Sequence, residues 1–398
     1  LISRRSIVCL GLVQLVSWGV SYYLIGAFGD LIAADLGWSR EVVHGGFSAA
    51  LLVMGISSPL AGGLIDRHGG RRVMMIGGAL NAAGCLALAA SHGLVLYYTA
   101  WLLLGLGMRL SLYDAAFAAL ARIGGPGARR PMSQITLLGG LASSVFWPIG
   151  YALAERCGWR GALVAYAALA LSSVLLLLTL SNGRYEEPAG EGMARNAPLA
   201  ATDEQRLVAA GLYALIVTCT NFLAAGLSAH MIPILAGLGL AAGTAVLTAT
   251  LRGIGQSSAR LCEVVFGRRI HPLALNLLAT LILPLCFAAG LWSGESPAAA
   301  IAFAFFYGAG NGLLTITRGT LPLVLFDHRT YGALVGRLIA PSFLLSAAAP
   351  LIYAAVISRL GEGAALHLSI AVALATLAAA LYLKLRFGPP QRPATERS

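Results

Sequence analysis

Long apolar runs separated by short polar breaks fill this chain from end to end. A helix that crosses a bilayer needs about 20 mainly apolar residues. That template predicts twelve spans, over 6–33, 43–65, 73–91, 94–121, 131–154, 161–181, 207–235, 242–265, 273–292, 297–325, 332–357 and 364–386. Most connectors are short. The exception is SNGRYEEPAGEGMARNAPLAATDEQR, Ser181–Arg206, which is polar, contains Gly and Pro, and reads as a flexible loop. It parts the spans six and six. The expected organisation is a six-helix bundle over 1–181, a central loop over 182–206, and a second six-helix bundle with a short tail over 207–398.

Composition agrees with the pattern. Hydrophobic residues make up 58% and charged residues 11% of the 398 positions, against roughly 25% charged residues in ordinary soluble chains. A water-facing surface cannot be built from that stock, so the fold class expected is an all-α integral membrane protein. The net charge of +11 does not point to nucleic acid, because the basic residues sit in connectors rather than along one soluble face. The six Cys are scattered through apolar runs with no CxxC and no His at metal spacing, which argues against disulfides, metal or any cofactor. The basic start LISRR precedes an apolar run too long for a signal peptide and reads as the first span.

The connector charges give an orientation. Arg4, Arg5, Arg67, Arg71, Arg72, Arg122, Arg129, Arg130, the central loop, Arg268, Arg269, Arg329 and the tail after Lys384 fall on one side. Arg40, Arg156, Arg160 and Arg359 fall on the other. The first side, with both termini, is expected to be cytoplasmic, in a bacterial inner membrane.

The halves echo one another. DRHGGRR (Asp66–Arg72) between spans 2 and 3 matches EVVFGRR (Glu263–Arg269) between spans 8 and 9. LGLGMR in span 4 aligns with YGAGNG in span 10, and WPIGYA in span 5 with APLIYA in span 11. Such duplication is common in transporters, whose substrate site lies near the midplane between the repeats.

The stretch GGLIDRHGGRR, Gly62–Arg72, resembles the loop motif between spans 2 and 3 of the major facilitator superfamily. Gly62, Asp66, Arg67, Gly69, Arg71 and Arg72 carry the fit, and Gly70 replaces one basic position. The resemblance implies two pseudo-symmetric six-helix bundles, a central cavity and alternating access. Asp66, ending a span beside basic residues, is expected to latch one conformation, with Glu263 and Arg268 as its counterparts. DLGWSREVVHGGFS, Asp35–Ser48, resembles the start of span 2 in the monocarboxylate and oxalate/formate branch, which implies a small organic anion as substrate. The span-5 signature of drug antiporters is matched only by Pro148 and Gly150.

Charges inside spans are costly and usually face a cavity or a partner. At about 1.5 Å per residue, Arg109 in span 4 and Arg252 in span 8 lie near midplane, in different halves. Guanidinium groups grip carboxylate or phosphate through paired hydrogen bonds, so the two are expected to form an anion clamp. Asp114 lies closer to the cytoplasm and aligns with Thr317, next to Arg318 in span 10. Asp114 and Arg318 are therefore expected to close the inner gate and to couple it to protons. Gln14, Trp18 and Tyr22 form a stripe four residues apart on span 1, and Tyr113, Asn221 and Asn311 join them as candidate cavity residues. His230 reads as an interfacial histidine.

The functional expectation is a secondary active transporter for a small anion, coupled to protons, working in lipid as a monomer. A multidrug or metabolite efflux antiporter is the alternative, and a receptor that kept the fold without transport is an alternative of another class. No catalytic set or nucleotide loop supports an enzyme.

Overall fold

The computed structural model describes residues 2–186, 197–267 and 270–388. Arg268, Arg269, part of the central loop and the last ten residues lie outside them. Every described element is helical. In chain order the helices are α1 (Arg4–Ser17), α2 (Leu24–Leu36), α3 (Arg40–His68), α4 (Gly70–Ala89), α5 (Leu94–Ser111), α6 (Tyr113–Gly124) and α7 (Arg129–Gly139). There follow α8 (Ala142–Leu176), α9 (Asp203–Gly237), α10 (Ala242–Phe266), α11 (Pro272–Gly290), α12 (Pro297–Leu325), α13 (Tyr331–Leu360) and α14 (Glu362–Phe387).

These make the twelve spans that the apolar pattern predicts, with three interruptions it does not predict. The first span is α1 and α2 joined by a π-turn over Trp18–Tyr22. The fourth is α5 and α6, broken at Leu112, whose φ of −76° and ψ of −172° are extended. The fifth is α7 and the first part of α8. The sixth is the rest of α8 after Gly158, where φ is 70° and ψ 167° and the chain turns back. Only glycine takes that conformation without Cβ strain.

Local sequence sets the helix starts. The Ser3, Ser39 and Ser296 hydroxyls accept from backbone amides of α1, α3 and α12. Thr202 and Gln205 form a reciprocal capping box at the start of α9. The break in span 4 is held by side chains. Gln14 of α1 donates its amide to the Ser111 carbonyl at 2.8 Å, and Asn81 of α4 donates to the Ser111 hydroxyl at 3.0 Å. A carbonyl freed inside a membrane bundle needs such a donor.

Side chains such as Ile56 and Leu351 stand 75% and 74% exposed on the outside. An apolar surface of this kind is solvated by lipid, and many of the helices are long and apolar enough to cross a bilayer.

The cores show how the halves meet. One continuous apolar core joins the first six spans to Tyr213, Leu321, Tyr331, Val335 and Ile339 of the last six. These residues lie toward the face that carries the chain ends, here termed the terminal face. A second core, with Leu227, Phe287, Tyr307 and Tyr353, belongs to the last six spans alone. The bundle is sealed toward the terminal face and divided toward the opposite one.

Candidate functional site

The seal is built from charges that meet helix ends. Asp66, at the last turn of α3, accepts the backbone amides of Gly332 and Ala333 at 3.1 and 2.7 Å. Those amides open α13, and a carboxylate at a helix N-terminus meets both unpaired donors and the positive end of the dipole. Gly62, one turn earlier, lies so close to the Gly332 carbonyl that a Cβ would collide with backbone. One turn further on, the Ser58 hydroxyl donates to the Gly336 carbonyl at 2.6 Å. Small residues thus bring α3 and α13 into backbone contact.

Between spans 5 and 8 each half sends an arginine into the other. Arg129 of α7 donates to the carbonyls of Gly267, at 3.2 Å, and Ile270, just past the end of α10. Arg260 of α10 donates to the Thr136 carbonyl of α7 at 3.0 Å. Tyr113 donates its hydroxyl to the same carbonyl at 3.2 Å, and the Arg260 guanidinium lies 6.0 Å from the Tyr113 ring.

Above this layer, Arg318 of α12 donates to the Asp114 carboxylate of α6 at 2.7 Å, the two side chains being 19% and 11% exposed. The Arg318 guanidinium also contacts Asn221 at 3.5 Å and faces the Phe343 ring. The backbone carbonyl of Arg318 accepts from Tyr213 at 2.8 Å. Asn221 in turn donates to the Ser342 hydroxyl at 3.0 Å. Among the described residues, this pair is the one ion pair between the halves.

Toward the opposite face the lining changes. Arg252 of α10 is half-buried, with its guanidinium 5.2 Å from the Tyr307 ring. Trp18, Tyr22 and Tyr23 are half-buried and clustered, with Phe47, Tyr113 and Trp147 around them.

Several expected site residues lie elsewhere than the sequence suggested. Arg109 is 2% exposed and donates to the Ser58 carbonyl at 3.2 Å, braced inside the first half. It does not line the space between the halves with Arg252 opposite. The expectation rested on depth along the span, which does not fix the side of the helix a residue faces, and in α5 Arg109 faces α3. Gln14 is fully buried against the span-4 break, so the Gln14–Trp18–Tyr22 stripe lines the interface only from Trp18 onward. Asn311 is half-buried on α12. Arg67 and Arg72 are exposed and Arg71 half-buried, and Gly69 caps α3. Glu263 is 8% exposed, with Oε2 bonded to no described residue, although its charge acts on Arg129. Arg268 lies outside the described residues. His230 bonds the Pro350 carbonyl at 2.9 Å and stacks on Tyr353, both of α13.

Sequence reasoning missed Arg260, Arg129 and Tyr23 as interface groups. The signal for Arg260 was present: a second arginine inside span 8, eight residues after Arg252. Arg129 was assigned to orientation alone.

A twelve-span helical bundle split by a polar interface, sealed at one end, defines the class as a polytopic solute carrier. The chain belongs to the Major Facilitator Superfamily, whose sequence model matches residues 10–262. It is similar to monocarboxylate transporter 3 of Rattus norvegicus, 36% identical over 118 residues, which are 29% of this chain and 24% of that one. Human monocarboxylate transporter 11 is 28% identical over 325 residues, 73% of this chain and 65% of the relative. The multidrug resistance protein MdtL of Shigella flexneri is 29% identical over 197 residues, 48% and 49% of the two chains. The chain thus covers less than two thirds of each of these relatives.

Among solved structures, the human organic anion transporter MFSD10 superposes with a TM-score of 0.69 at 18% identity, over 95% of this chain and 99% of that one. The transporter FucP in its outward conformation gives a TM-score of 0.70 at 14% identity, over 96% and 99%. At these identities the likeness concerns the fold.

Proposed function

We propose that this transporter carries a small organic anion, a carboxylate, by alternating access coupled to protons. The observation that carries the reading is the charge balance between the halves. Arg252 and Arg318 stand on spans 8 and 10, Arg260 crosses from span 8 to α7, and Asp114 is the one carboxylate bonded among them. A region with more arginines than acids favours an anionic guest, and guanidinium binds carboxylate in two-pronged fashion. Relatives named as monocarboxylate transporters and a fold neighbour named as an organic anion transporter support the same class.

In this reading the terminal face is cytoplasmic, the protein sits in a bacterial inner membrane as a monomer, and the conformation is open outward. Arg252 receives the anion. Arg318 exchanges its bond to Asp114 for a bond to the substrate, Asp114 takes a proton, and the seal of Asp66, Arg129 and Arg260 is released. Asn221 and Asn311 supply hydrogen bonds near Arg318, while Arg109 braces span 2 from behind.

Uptake into proteoliposomes tests this, with labelled mono- and dicarboxylates and phosphate, with and without an inward proton gradient. The expectation is carboxylate uptake stimulated by the gradient and reduced at least tenfold in Arg252→Gln with folding retained. Preferential movement of neutral or cationic compounds, which the likeness to MdtL would suit, replaces the anion reading with efflux.

A further inference from the structure

The first span contains a device that twelve straight helices would not need. Between Trp18 and Tyr22 it widens into a π-turn, with the Tyr23 amide donating to the Trp18 carbonyl five residues back at 3.0 Å. In an α-helix, side chains five apart point about 140° away from each other, so Tyr23 would leave the face shared by Trp18 and Tyr22. The extra residue in the turn undoes that. The Tyr23 ring lies 6.0 Å from Trp18 and 5.6 Å from Tyr22, and Trp18 and Tyr22 are 4.9 Å apart. Three rings therefore share one face. A π-turn loses helical bonding regularity and persists mainly where its side-chain placement is used.

The direction of that face is fixed by its neighbours. Tyr22 meets Phe47 of span 2 at 5.1 Å, and Tyr23 meets Trp147 of span 5 at 5.9 Å. Trp147 also donates its indole N–H to the Tyr23 carbonyl at 3.3 Å. Trp18 also lies 5.1 Å from Tyr113, whose ring is 6.0 Å from the guanidinium of Arg260, on span 8 of the other half. Lipid would offer no charge there, so the wall faces the space between the halves. None of the three rings is fully covered.

A short aliphatic carboxylate would leave most of such a wall without a partner, whereas a flat apolar body fills it with offset-stacked or edge-to-face contacts. We propose that the substrate is an aryl carboxylate, its ring held against Trp18, Tyr22 and Tyr23 and its carboxylate turned toward Arg252. The inference rests on the anion reading above and adds the identity of the organic body.

The test compares binding rather than transport alone. Purified protein in detergent is titrated with benzoate, phenylacetate, cyclohexanecarboxylate and acetate by ligand-induced thermal stabilisation, and the same compounds compete in proteoliposome uptake. Benzoate and phenylacetate are expected to bind at least tenfold more tightly than acetate, and more tightly than the non-planar cyclohexane acid. Trp18→Leu and Tyr23→Leu should each reduce the aryl-to-acetate ratio to below threefold, while Trp18→Phe keeps most of it. Equal affinity for acetate and benzoate, or a ratio unchanged in both leucine variants, overturns the proposal and leaves the anion reading standing. No stabilisation by any carboxylate overturns both.

Discussion

On the terminal face the two sets of six spans meet through charges set against helix ends, and on the opposite face they do not meet through a hydrogen bond among the described residues. The terminal seal consists of Asp66 on the α13 amides, Arg129 on the carbonyls just past α10, Arg260 on the Thr136 carbonyl and the Asp114–Arg318 pair. The opposite side of the last six spans keeps an apolar core of its own. A seal of this kind suits a gate. Each of its bonds ends on a backbone group or a charge that water can satisfy when the halves part, so the polar part of the seal opens by exchanging partners, while the apolar core that also bridges the halves there is uncovered.

Substitutions at the two faces should therefore act differently. The largest effect is expected at Gly62, where α3 touches the α13 backbone. Gly62→Leu should abolish transport by holding the terminal face apart, overpacking of this kind costing about 1–3 kcal/mol or more. Cysteine-accessibility labelling along α13 would report the opened face, and labelling like that of the wild type would show that the close approach is dispensable.

Next comes Asp114→Asn, which leaves the Arg318 charge largely buried without its counterion, at a cost of about 3 kcal/mol to this conformation. Proton-dependent uptake should disappear while substrate exchange survives. Persisting proton uptake would take the coupling role away from Asp114.

A third substitution sharpens the contrast by leaving the gate untouched. Gln14→Leu strands the Ser111 carbonyl at the span-4 break, which should lower stability by about 1–3 kcal/mol. The melting temperature should fall without any shift in which face is accessible. A shift in accessibility would mean that the break in span 4 belongs to the gate.

The smallest effect is expected at His271, in the connector between spans 8 and 9. Its imidazole is held below its ordinary pKa, chiefly by burial and then by the Arg129 charge, and its Nδ1 accepts the Leu273 amide at 3.3 Å. The unfolded chain binds this proton more readily, so the site's stabilisation is complete above about pH 6.5 and is lost as pH falls below it. His271→Asn keeps the cap without the titration. Thermal stability of the wild type should fall further than that of the variant between pH 7 and 5.5, and equal slopes would remove His271 from the pH dependence.

How much was legible beforehand varied with the kind of information. Gln14, Arg109 and Tyr23 all lie within spans that the apolar pattern places correctly, yet each faces a direction the pattern does not give. For Arg109 the expectation rested on depth, which does not give the direction around the helix, and the break that follows at Leu112 is not announced by a Gly or Pro at that position. For Tyr23 the helical angle failed because of the π-turn. Asp114 and Arg318 come together at 2.7 Å at matching depth, because depth is counted along the chain and survives a local break.

Twelve spans, the superfamily and the matching depth of Asp114 and Arg318 could be read from the chain alone. Those follow from residue-by-residue solvation, which needs no knowledge of neighbours. Only the tertiary structure decided which side of each span faces the interface, that Arg109 braces span 2 while Arg260 crosses to span 5, and that the terminal face is the closed one. Such choices depend on helix continuity and on carbonyls and amides freed at helix ends, whose partners come from residues distant in the chain.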